Sequence, residues 1–140
     1  MSPHQVEFLF GLGVFLQFVD DLQDLKSDLK NGNVSVFTKS ANDCAQLESL
    51  TSRAIRFGYY VMGLAGAFPS SGSTLKGVLR ESVPGLVTNS ASYNQDFYGE
   101  KYLRDLEAHF PFRFDLLQET RLKLKRRMSF SRLLDVVAGK

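Results

Sequence analysis

The opening thirty residues limit the fold more than any other part of the chain. Ser2-Pro3 is a good helix start, with Ser as N-cap and Pro in the first turn, and Asn31-Gly32 is a good stop. Nothing between them breaks a helical pattern, so the spacing predicts a first helix of roughly 28 residues, about 42 Å long at ~1.5 Å per residue. A helix of that length needs long helical neighbours. No strand-like alternation of useful length and no internal repeat appears elsewhere. The expected class is all-α: an antiparallel helical bundle with short connections, forming one domain over residues 1–140.

The rest of the chain fits that plan. Asn33 to Ser40 reads as a β-rich polar loop, and Ala41 to Phe68 as a second long helix. Leu47, Leu50, Ala54, Ile55, Tyr59, Met62 and Leu64 give that helix a broad apolar side, while Gly58, Gly63 and Gly66 weaken it locally and permit close contacts. Pro69 to Ser73 is a loop, and a third helix begins near Thr74, with a kink or break expected at Pro84. Helical segments from Gln95 to Phe110, Phe112 to Met128 and Ser129 to Val137 complete the pattern, divided at Pro111.

Composition removes several function classes. A net charge of +2 argues against a general nucleic-acid binder. One cysteine, Cys44, allows no internal disulfide and fits a reducing, cytoplasmic compartment. With only His4 and His109 besides it, a zinc site of usual ligand count is excluded. The apolar run Phe8 to Val19 is about half the ~20 residues a membrane span needs, and it lacks the flanks of a secretory signal. Charge is unevenly spread: residues 121–140 hold seven Lys/Arg and one acid, a net of +6, leaving −4 for the first 120. With Leu122, Leu124, Met128 and Phe130 interleaved, this basic segment suits a bound anion or peripheral contact with an anionic membrane, or simply a solvated helix end.

The first helix carries the chemistry. At 100° per residue, Gln17, Asp20, Asp21, Asp24 and Asp28 fall within about 60° of one line, with Phe10 and Gly13 one to two turns earlier. Apolar residues occupy most other directions, and a helix apolar nearly all round is usually buried, so the acid line is expected to face an internal cleft. Like charges there repel and need a cation; Lys26 points away, and Mg²⁺ suits carboxylates and bridges to phosphate. Carboxylates at i and i+4 below an apolar wall fit a substrate with a diphosphate head and a hydrocarbon tail.

The stretch Gly13 to Asp28, GVFLQFVDDLQDLKSD, resembles the second aspartate-rich motif of trans-prenyl diphosphate synthases, in the class I isoprenoid (terpenoid) synthase fold. Gly13, Phe15, Gln17, Asp20, Asp21, Asp24 and Asp28 stand in register with it. The resemblance implies that Asp20, Asp21 and Asp24 bind Mg²⁺, which holds and activates an allylic prenyl diphosphate. Gln17 would point into the same cleft and Asp28 would support the ligands, with Phe10 and Gly13 beside the substrate; separately from the resemblance, Arg126 and Arg127 of the basic segment are candidates to close over a diphosphate. Phe10, Phe15, Phe57, Tyr59 and Tyr60 would line an aromatic pocket.

LKNGNVSVFT, which follows, lacks the Gly-Thr-Asp run and the Asn-Lys pair of the long-chain enzymes, which points to a more divergent branch. The resemblance covers only the C-terminal half of a synthase domain, because no other segment offers a second DDxxD-like group. Three arrangements stay open: a fragment, one half of a split enzyme completed by a complementary synthase half, or a homo-oligomer in which two copies of the Asp helix complete one another. In each, activity as a prenyl transferase or terpene synthase depends on completion by a partner. The alternative is a non-catalytic helical association or regulatory subunit.

Overall fold

The computed structural model describes residues 1–67, 73–109, 113–117, 119, 120, 122 and 123. Arg126, Arg127, Pro111 and the segment Ser129 to Val137 lie outside the described residues. Among the described residues six α-helices have defined bounds: α1 (Pro3–Gln23), α2 (Leu25–Asn31), α3 (Val36–Ser40), α4 (Cys44–Leu64), α5 (Ser73–Ser92) and α6 (Glu100–Ala108); residues 114–117 are helical as well. Short 3₁₀ turns follow α4 at Ala65–Ala67 and α5 at Gln95–Phe97. The fold is all-α, and no strand occurs among the described residues.

α1 begins as its sequence dictates. Ser2 accepts from the Gln5 amide, Gln5 returns a bond to the Ser2 amide, and Pro3 occupies the first turn. The expected 28-residue helix is divided at Asp24, where the backbone leaves the helical region (φ −89°, ψ 4°). The cause comes from elsewhere in the chain. Fully buried Asn94 donates from Nδ2 to the Leu22 carbonyl at 2.6 Å and to the Ser90 carbonyl at 3.1 Å. A side chain inserted at a helix carbonyl is a recognised source of kinks. α2 then ends at Gly32, whose φ of +70° is the left-handed cap expected of a glycine there.

Two expectations are corrected. Val36–Ser40 is a helix, not a loop: Ser35 and Thr38 cap each other reciprocally, and Phe37 plugs the core. This shortens the second long helix, which starts at Cys44 under an Asp43 N-cap. Pro84 does not break its helix: it lies within the continuous span of α5.

α1, α4 and α5 pack as an up-down-up unit. Gly11 of α1 lies against Val61 of α4, Phe15 against Gly58, and Phe18 against Phe57, so the two helices run antiparallel. Gly58 is the point where three helices meet: a Cβ there would fall 2.6 Å from both the Phe15 ring and Val83 of α5. Phe15, Leu22, Leu25, Phe37, Leu47, Val61, Val83 and Val87 fill the centre, all but closed to solvent. Among the described residues no helix is long and apolar enough to cross a membrane.

Candidate functional site: the outward face of the first helix

α1 has two unlike sides. Phe8, Gly11, Phe15 and Leu22 turn toward α4 and α5, and each is buried. The opposite side carries Val6, Leu9, Phe10, Gly13, Leu16, Gln17, Asp20 and Asp24, all exposed, with Phe10 at 74%. The expected line from Phe10 and Gly13 to the aspartates is therefore real, but it looks outward. The expectation of an acid row facing an internal cleft is corrected. The pattern was apolar all round, but packing partners cover only one side of it.

The acid row makes few bonds of its own. Gln17 Nε2 donates to Asp21 Oδ1 at 2.7 Å. Asn33 Nδ2 donates to Asp28 Oδ1 at 2.9 Å, tying the last aspartate to the turn after α2. At the kink, the Asp24 carbonyl accepts from Ser27 Oγ and from the Asp28 amide. No ion pair among the described residues involves Asp20, Asp21, Asp24 or Asp28. Lys26 does point away, as expected, and its ammonium sits 2.7 Å from Asp96.

Asp20 and Asp21 occupy the last turn of α1, where the helix dipole disfavours negative charge, whereas Asp24 precedes α2 and Asp28 lies in its first turn. All their donors are hard carboxylate oxygens, of the kind Mg²⁺ takes together with water and phosphate. The donor chemistry therefore suits such an ion, although the side chains are not gathered around one position. No three His, Cys, Asp or Glu side chains converge on one metal position among the described residues.

The expected aromatic lining divides. Phe15 is fully buried between α4 and α5, and Phe57 packs edge-on against Phe18 at 5.9 Å. Both belong to the side of α1 facing away from the acids. Tyr59 and Tyr60 are exposed, and the Tyr60 hydroxyl donates to Glu7 Oε1 at 2.8 Å, a bond that raises the phenol above its ordinary range. Only Phe10 stays on the acid line.

A polar seam at the start of α4 was not anticipated. Glu48 Oε1 accepts from the Gly99 amide at 2.9 Å and from Cys44 Sγ at 3.2 Å, and this carboxylate pushes the thiol up. Tyr98 and Tyr102 stack at 5.6 Å, and their hydroxyls meet Thr51 and Ser52 at 2.7 and 2.8 Å. Thr51 already donates to the Leu47 carbonyl, so Tyr98 is the donor in their shared bond. Tyr98 and Tyr102 fasten the α5–α6 connection to α4. Spacing offers no signal for such a seam, since its members lie about fifty residues apart. No family model, curated protein or solved structure matches the chain.

Proposed function

We propose that the chain is a half-domain of the class I isoprenoid synthase type, binding a prenyl diphosphate through Mg²⁺ on the acid row of α1. The observation that carries this reading is a DDxxD row with no cationic partner among the described residues, in line with an exposed aromatic on the same helix face. Asp20, Asp21 and Asp24 hold the ion, Gln17 orients Asp21, and Asp28 is steadied by Asn33. Bound magnesium supplies charge neutralisation for the diphosphate. Phe10, ~21 Å from Asp24 along the helix, stands on the side the hydrocarbon would take. The open face calls for a completing partner, so activity as a prenyl transferase or terpene synthase belongs to the assembly. Arg126 and Arg127 add cationic contacts to the diphosphate in this reading.

The second reading is a helical association module without chemistry, favoured by the outward exposure of the carboxylates and their lack of convergence. Thermal denaturation with Mg²⁺ and a non-hydrolysable prenyl diphosphate analogue separates the two. The synthase reading expects an upward shift of the midpoint that needs both ligands and vanishes in Asp20→Ala/Asp24→Ala. An unshifted midpoint leaves the association module.

A further inference from the structure

We infer that the core binds one internal water molecule at the end of α5, shared by Ser90 Oγ and Asn94 Oδ1 and bracing the break between α1 and α2. The inference stands on two buried polar atoms and does not use the metal or diphosphate reading. Ser90 is 1% exposed and Asn94 0%. Both oxygens are closed to solvent, and neither has a hydrogen-bond partner among the described residues. Folded interiors satisfy nearly all such atoms, with protein or with ordered water. Other polar side chains in this core follow that rule. Thr51 bonds the Leu47 carbonyl and Tyr98, and Ser92 bonds the Asn89 carbonyl.

Turning the Asn94 amide over does not supply a partner. Its Nδ2 stands 2.6 Å from the Leu22 carbonyl and 3.1 Å from the Ser90 carbonyl. An oxygen in that place would face two acceptors with no hydrogen to give. Oδ1 therefore keeps the other position, where it can only accept. Ser90 lies four residues earlier, a neighbour across one turn, and its own backbone already touches the Asn94 amide. Both orphaned oxygens thus belong to one spot in the core. Chemistry selects the occupant. The buried polar residues among those described are all neutral, and an ion there would lose its hydration with no counter-charge. Water is neutral, donates to Oδ1, and either accepts from or donates to the Ser90 hydroxyl. Buried waters make roughly two to four such bonds. Asn94 then uses its whole amide, with Nδ2 on the two carbonyls and Oδ1 on the water. The water steadies the side chain that interrupts the first helix before Asp24.

A high-resolution crystal structure of the full chain tests this directly. One solvent oxygen should lie about 2.7–3.1 Å from both Ser90 Oγ and Asn94 Oδ1. In solution, ¹⁷O relaxation dispersion should count one long-lived water fewer in Ser90→Ala than in the parent chain, with helical circular dichroism unchanged. Ser92→Ala removes a buried hydroxyl that already has its partner, and should leave the count as it is. A parent structure with no solvent at this spot overturns the inference, as does one in which the Ser90 hydroxyl bonds Asn94 Oδ1 directly. So does a water that stays in place, or a count that stays the same, in Ser90→Ala. The parent structure decides the matter even where Ser90→Ala fails to fold. Neither measurement involves Mg²⁺ or diphosphate, so failure of the prenyl diphosphate experiment leaves these readouts untouched.

Discussion

Gly58 and Tyr98 hold different parts of the helical unit by opposite means, one by having no side chain and the other by burying a polar one. At Gly58 the Phe15 ring and Val83 already occupy the place of a Cβ, at 2.6 Å each. Gly58→Ala should therefore destabilise the chain by about 1–3 kcal/mol, the usual cost of overpacking, although alanine is the better helix former. Denaturant unfolding measures this, and an unchanged midpoint would mean that α1 and α5 separate freely. Tyr98 works through burial, which raises its phenol above the ordinary tyrosine range. Its folded-state pKa exceeds the unfolded value of about 10, so the stability it contributes is complete below pH ~10 and is lost as pH rises above that. Tyr98→Phe should cost about 1 kcal/mol at neutral pH through the lost bond to Thr51, and should flatten the decline in melting temperature at alkaline pH.

At the scale of the element, the junction of α1 and α2 depends on a residue seventy-two positions away. Asn94→Ala removes the donor from the Leu22 carbonyl inside the core and should cost about 1–3 kcal/mol, the penalty for an orphaned buried acceptor. Amide exchange at Leu25 and Lys26 should quicken more than at Phe15, and equal change at both would assign the loss to general loosening. This junction also shows what one sequence reveals about elements. The start of α1 at Ser2-Pro3 and the stop at Gly32 were legible because capping is local chemistry. The break at Asp24 was not, because its cause lies in Asn94. α3 was missed since Val34, Val36 and Phe37 favour strand, and the Ser35–Thr38 cap that overrides them uses Thr where Glu or Gln is the usual partner. The alignment of Phe10, Gly13, Gln17 and the aspartates followed from helix periodicity alone. Its outward aspect did not, because periodicity says which residues share a face but not which face finds a partner.

For the whole molecule, that outward face is where stability and proposed function oppose each other. The core closes around Phe15, Leu22, Val61 and Val83, and α1 completes it with one side only. Beyond the other side lie four carboxylates with no cationic partner among the described residues, Asp20 and Asp21 at the unfavourable end of the α1 dipole and Asp24 and Asp28 at the start of α2. The Asp20 and Asp24 side chains make no ion pair among the described residues and repel each other at i and i+4, so relieving that repulsion should help. Asp20→Asn/Asp24→Asn keeps the shape and removes two charges. It should raise stability by about 0.5–1 kcal/mol, or about 2–4 °C in melting temperature for a domain of this size. Added salt should stabilise the parent chain more than the variant, because screening relieves the same repulsion. A fall in melting temperature for the variant would mean that the carboxylates are held by contacts within the fold. The row would then be a structural device of α1, and the reading of it as a metal and diphosphate site would lose its physical basis.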